Sequence, residues 1–195
     1  VETAPQHLEP TSHLQPVVVP QEAPRTTPEI PIGRIPVLDI SPVYEGGRWP
    51  AKAAVGEVVP IWATVFREGH DAVAATAVLY GPDGNEKQRS PMVSTNPGLS
   101  RWAGSLQPDA EGDWTFAVEG WSDPYATWLH DATVKFAAGI DQELMLAEGQ
   151  LLLERILESN VSRSPESKAV LEGAAHQITD TSKSWDARLY AMTSP

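Results

Sequence analysis

The stretch VVPIWATVFREG, residues 58–69, decides the class of fold. Side chains along a strand point alternately to opposite faces. Val59, Ile61, Ala63 and Val65 therefore share one face, and Trp62, Thr64 and Phe66 share the other. The first set reads as a core face. The second is unusual, because a solvated outer face does not normally carry Trp62 and Phe66, and exposed apolar side chains grouped together mark contacts.

Working outward, further strands flank this one. AVAATAVLY (72–80) is followed by the turn Gly81-Pro82-Asp83-Gly84-Asn85, whose Pro and Gly supply the dihedrals of a reversal. Residues 86–93 return, and RWAGSL (101–106) follows. In WTFAVEGW (114–121), Trp114, Phe116 and Val118 face inward, while Thr115, Glu119 and Trp121 face outward. TWLHDATVKF (127–136) reads as another strand, with Trp128, His130, Ala132, Val134 and Phe136 on its inward face. With RIPVLDI (34–40) the count reaches seven short strands separated by regular turns. That pattern predicts a mainly β chain whose centre, residues 33–138, is an immunoglobulin-like β-sandwich.

The flanks differ. Residues 1–32 carry Pro5, Pro10, Pro16, Pro20, Pro24, Pro28 and Pro31. Proline fixes φ and removes an amide donor, so this segment reads as a disordered Pro-rich tail. Residues 139–195 read as a short helical segment, a partial bundle. Asp141 is the expected N-cap of a helix whose apolar arc is Leu144, Met145, Leu151, Leu152 and Ile156. Ser164 and Pro165 start a second helix, with Val170, Leu171, Ala174 and Ile178 as its stripe. A third is expected over 186–192. The chain begins at Val1 and ends at Ser194-Pro195, where another helix would start, so a fragment of a longer protein is expected.

The formal net charge is −12, with 14 Lys and Arg against 26 Asp and Glu. Clustered cations for phosphate contacts are lacking, so neither a nucleic acid nor an anionic membrane surface is an expected partner. No apolar run approaches the roughly 20 residues of a membrane-spanning helix. The chain has no cysteine, which excludes a disulfide framework and permits a reducing cytoplasm. His7, His13, His70, His130 and His176 are scattered, and no pair stands at metal-ligand spacing. No GxSxG, P-loop or GxGxxG is present. No catalytic residue, metal or cofactor is assigned.

The residues left to explain are aromatic. Trp62, Phe66 and Trp121 carry three readings: sandwich core, contact with a neighbouring domain or subunit, or a platform on which sugar rings stack. Asp123 and Tyr125 join them through EGWSDPYATWLHD (119–131), where Ser122-Asp123-Pro124 makes a tight reversal. That stretch is either a ligand site or a corner of the sandwich.

RIPVLDISPVYEGGRWPAKAAVGEVVPIWATVFREGHDAVAA (34–75) and GDWTFAVEGWSDPYATWLHDATVKFAAGIDQELMLAEGQLLLER (112–155) resemble the N-terminal part of the α-1,4-glucan:maltose-1-phosphate maltosyltransferases. The resemblance covers about residues 33–158. It implies a bacterial, cytoplasmic enzyme of the α-amylase clan. Such an enzyme transfers maltosyl units from maltose 1-phosphate to the non-reducing end of an α-1,4-glucan and releases phosphate. It works as a homodimer by a retaining mechanism, and its two catalytic carboxylates lie in a downstream barrel. No position here matches those motifs. The resemblance therefore implies an inactive region used for assembly, with the catalytic barrel and a second subunit as partners and an α-glucan as a further candidate ligand. Two alternatives stand beside it: a stand-alone glycan-binding sandwich, and a non-enzymatic interaction domain.

Overall fold

The computed structural model describes residues 33–193; the expectations for the tail at 1–32 and for the Ser194-Pro195 ending lie outside them. Seven strands form: β1 (Val37–Ser41), β2 (Val59–Val65), β3 (Val73–Tyr80), β4 (Glu86–Pro91), β5 (Val93–Asn96), β6 (Arg101–Leu106) and β7 (Thr115–Ser122). They make two antiparallel sheets, ordered β1-β2-β6-β5 and β4-β3-β7. The four-stranded order is that of the A-B-E-D sheet of immunoglobulin sandwiches. Beyond β7 the described residues place no further strand.

Alternation fills the space between the sheets as the sequence predicts. Ile61, Ala63 and Val65 of β2 are buried against Ala75, Ala77 and Leu79 of β3, with Leu106 and Val118 completing the core. Full burial of such a side chain stabilises the fold by about 1.5–3 kcal/mol. Trp102 packs against this cluster, and its indole N–H donates to the Val65 carbonyl at 3.0 Å. Met92 is the switch between sheets. Its amide still donates to the Ala75 carbonyl on β3, at 2.9 Å, but Val93 already pairs with Ala103 on β6. Residues 86–96 thus give two strands in different sheets, where the sequence reading saw a single returning strand.

The expected strand over 127–136 is not formed. Helix α1 spans Pro124–Ala138 instead. Its start explains the outcome: the Asp123 carboxylate accepts from the Ala126 amide at 2.9 Å, and Pro124 occupies the first turn, both strong helix-initiating features. Trp128, Ala132 and Phe136 fit an i,i+4 spacing as well as an alternating one. The residues that separate the two patterns are Val134 and His130, and both are exposed. The sandwich therefore ends at Ser122, and the helical segment begins at Pro124 rather than at 139.

Helices α2 (Gln142–Glu158), α3 (Pro165–Thr179) and α4 (Trp185–Thr193) follow. Trp128, Ala132, Met145, Leu146, Leu153, Ile178 and Met192 form a second core. The expected arc of α2 is rotated: Leu144 and Leu151 are exposed, and Met145, Leu146, Gly149 and Leu153 are buried. Trp128 sets this rotation. Its indole N–H donates to the Met145 carbonyl at 2.7 Å, and its ring lies on Gly149, where a Cβ would come within 2.6 Å of Cζ2. On α3, Ile178 is buried but Val170 is exposed. Ser164 caps α3 as expected, accepting from the Ser167 amide at 3.1 Å. Asp141 occupies the N-cap position of α2 without a side-chain cap bond and with a left-handed backbone, φ 50°. Its carboxylate lies 3.6 Å from Lys135 Nζ instead.

Sandwich and helices are joined at the start of α1. The Asp123 amide donates to the Ala72 carbonyl at 2.9 Å, and the Ala72 amide donates to Thr127 Oγ1 at 2.8 Å. Substituting Gly149→Ala forces a methyl into the Trp128 ring and is expected to destabilise the chain by about 1–3 kcal/mol. Asp123→Ala removes a working cap and is expected to cost about 1 kcal/mol, whereas Asp141→Gly, which loses no cap bond and suits the left-handed backbone, is expected to stay within about 0.5 kcal/mol. Urea unfolding of the three variants checks the order.

Candidate functional site

Because β2 buries Ile61, Ala63 and Val65, it must turn Pro60, Trp62 and Thr64 outward. Trp62 is 40% exposed. In the antiparallel register Trp62 stands opposite Ala103 on β6, and Ala103 stands opposite Val93 on β5. Residues directly opposite share a face, so these three form an apolar row across the outside of the four-stranded sheet. Leu38 of β1 stands opposite Thr64 on the same face, and Leu38 and Val93 are both exposed. A polar cluster borders the row: Arg101 donates to Thr64 Oγ1 and Thr64 donates to Asp39 Oδ2, each at 3.1 Å.

The other candidates lie elsewhere. Phe66 follows the last residue of β2 and is half-buried. Trp121 sits on β7 opposite Ala74, on the outer face of the three-stranded sheet. It is 44% exposed, and its indole N–H donates to Thr76 Oγ1 at 3.1 Å. Trp62 and Trp121 thus occupy opposite outsides of the sandwich and cannot form one platform. On the Trp121 face, Arg89 of β4 reaches across β3 to donate to Glu119 of β7 at 2.6 Å, and it also donates to Glu86 of its own strand at 2.8 Å. The Arg89 guanidinium holds the Glu86 carboxyl below its ordinary range.

Asp123 and Tyr125 are structural. Asp123 caps α1, and the Tyr125 hydroxyl donates to the Met192 carbonyl at 2.6 Å, with its ring 5.9 Å from that of Trp128. The stretch 119–131 is therefore a strand end, a helix cap and a helix. His70 and His130 are exposed. Among the described residues no group of three or more His, Asp and Glu is placed to hold a metal ion.

One feature escaped the sequence reading. The connection between β1 and β2 folds against the end of the sandwich and leaves an open groove of about 620 Å³. Tyr44, Trp49, Trp62, Trp114 and Phe116 line it. Tyr44 and Trp49 pair across an antiparallel bridge that closes over the 3-10 turn Glu45–Gly47. All three turn residues have positive φ, 47°, 66° and 87°, so the two glycines permit a reversal that places two aromatic residues side by side. Trp49 Nε1 donates to Glu45 Oε2 at 3.1 Å, the Arg48 guanidinium lies 5.6 Å from its ring centre, and Trp114 Nε1 donates to the Ala110 carbonyl at 2.9 Å. The signal was YEGGRW itself: two aromatics bracketing a Glu-Gly-Gly turn. A second hollow, of about 380 Å³, lies where the sandwich meets the helices. It mixes Arg67 and Arg155 with Asp71, Asp131 and Glu148, and Arg67 is held by Asp71 at 3.0 Å.

The chain has clear relatives. A family model described as alpha-1,4-glucan:maltose-1-phosphate maltosyltransferase, domain N/S, matches residues 33–195. The chain is 46% identical over 171 residues to alpha-1,4-glucan:maltose-1-phosphate maltosyltransferase 2 of Streptomyces coelicolor, covering 88% of this chain and 25% of that protein. It is 43% identical over 164 residues to maltosyltransferase 1 of the same organism, covering 84% and 24%. With the maltosyltransferase of Arcanobacterium haemolyticum it shares 45% over 141 residues, covering 72% and 20%. The chain spans about a quarter of the length of the curated relatives it matches.

Tyr125 gives a test of this assignment of roles. Burial, and then the nearby Asp123 carboxylate, push its phenol above the ordinary value. As pH rises past about 10 the unfolded chain loses this proton while the folded chain keeps it, so stability falls with pH in that window. Tyr125→Phe is expected to flatten that fall and, at neutral pH, to cost about 1 kcal/mol for the lost hydrogen bond. Denaturant unfolding at pH 7 and pH 10.5 reads both.

Proposed function

The chain belongs to the alpha-1,4-glucan:maltose-1-phosphate maltosyltransferase family, and from that premise we propose that it is a non-catalytic assembly region. The relatives' name describes the whole reaction: maltosyl transfer from maltose 1-phosphate to an α-1,4-glucan. In this reading a catalytic barrel performs the transfer, in the cytoplasm, and the present sandwich and helices hold that barrel and a second subunit in a homodimer.

The observation that carries the reading is the apolar row on the outer face of the four-stranded sheet. Trp62, Ala103 and Val93 lie side by side there, and Leu38 adds to them. The helices support it, since Leu144, Leu151, Val170 and Tyr190 are all exposed. Exposed apolar side chains grouped on one face are the mark of a surface covered in the working assembly. The net charge of −12 disfavours indiscriminate self-association and so favours a defined contact.

Two measurements test the proposal. The 195-residue chain alone is expected to release no phosphate from maltose 1-phosphate in the presence of an α-1,4-glucan; release would overturn the non-catalytic reading. Sedimentation velocity over a concentration series is expected to show self-association, and Leu38→Glu with Val93→Glu is expected to weaken it roughly tenfold, the effect of losing central apolar contacts. Unchanged sedimentation in that double variant would overturn the role given to the sheet face.

A further inference from the structure

We propose that the groove between the β1–β2 connection and the end of the sandwich binds an α-1,4-glucan chain, with Tyr44 and Trp49 as its stacking platform. The lining distinguishes this groove from the apolar row beside it. The outer sheet face presents Leu38, Val93 and Ala103, which suit a protein partner. The groove presents Tyr44, Trp49, Trp62, Trp114 and Phe116. Flat aromatic faces complement the C–H faces of pyranose rings, and each Trp or Tyr also offers a polar atom at its edge. A cavity of about 620 Å³ lies within the roughly 300–1,000 Å³ of small-ligand sites.

The platform is organised before any ligand arrives. The Glu45 carboxylate takes the Trp49 indole N–H, and the Ala110 carbonyl takes that of Trp114, so both ring planes are fixed by hydrogen bonds. The Tyr44–Trp49 bridge sets the two rings on the same side of the loop. Glu45 holds a left-handed backbone, φ 47°, an arrangement of about 1 kcal/mol in cost for a residue with a Cβ. Rings fixed in advance reduce the ordering penalty of binding. Ser41, Lys52 and Glu57 are also among the lining residues, and hydroxyl, ammonium and carboxylate groups are the kinds that pair with sugar hydroxyls. The net charge of −12 disfavours an anionic ligand and is indifferent to a neutral one. The preference for an α-1,4 linkage rests on the family reading above, while the aromatic geometry speaks for a saccharide.

Isothermal titration calorimetry of the 195-residue chain with maltoheptaose, and with cellohexaose as the β-1,4 comparison, tests the proposal. Maltoheptaose is expected to bind and cellohexaose to bind at least tenfold more weakly. Trp49→Ala and Tyr44→Ala, both at exposed positions of the loop, are each expected to weaken maltoheptaose binding roughly tenfold, about the loss of one stacked ring. Trp121→Ala, on the far side of the sandwich, is expected to leave binding unchanged. Absence of maltoheptaose binding overturns the proposal, as does binding that survives both loop substitutions. Equal binding of the two sugars overturns the α-1,4-glucan assignment. None of these outcomes alters the sedimentation of the Leu38 and Val93 variant, so failure of the groove and failure of the assembly reading are read separately.

Discussion

Alternation gives a strand one face for the core of the sandwich and turns its other face away from it. That constraint, acting on β2, governs the rest of this molecule. Ile61, Ala63 and Val65 are drawn between the sheets, and the same alternation obliges Trp62 to point away from them. Register then multiplies the effect. Antiparallel pairing sets Ala103 and Val93 in line with Trp62, so one outward tryptophan becomes an apolar row three strands wide. A slip of one residue would exchange the faces and place Trp62 in the core, where Ala63 now fits with no exposed surface.

The same sheet face borders surfaces of different chemistry. Toward β1 and β5 it is aliphatic, carried by Leu38 and Val93. Toward the β1–β2 connection it meets Tyr44 and Trp49, which the Glu45–Gly47 turn brings together. Trp62 stands where the two surfaces join. Aliphatic surface without hydrogen-bonding edges packs against protein, whereas oriented indole and phenol rings with polar neighbours suit an uncharged polyol. A single strand can thereby serve both a contact surface and a ligand groove, with Trp62 common to the two.

Most of the sandwich was legible in the sequence because its signal is local. Alternation over 58–65 and 114–121 marks which side chains enter the core, and the turn at 81–85 is written in Gly and Pro. The errors fall where two periodicities agree. Trp128, Ala132 and Phe136 satisfy spacings of two and of four, so the alternating reading of 127–136 had no internal contradiction; the Asp123-Pro124 cap decided for a helix. The buried arc of α2 was misread for a different reason. Gly149 carries no hydrophobic side chain, yet it defines the face onto which Trp128 packs, and that requirement comes from another helix. The groove was missed because its aromatics come from three separate segments, Tyr44 with Trp49, Trp62, and Trp114 with Phe116. Trp62 and Trp121 both turn outward, but on opposite sides of the sandwich: alternation tells inside from outside and is silent on which outside.

The central claim is that the outer face of the four-stranded sheet is covered when the chain works. Hydroxyl-radical footprinting read by mass spectrometry tests it most directly, comparing the chain diluted to its monomeric form with the same chain in its assembled form. The account predicts that Leu38, Trp62 and Val93 are labelled in the monomer and protected in the assembly. Equal labelling of these residues in both states would contradict it.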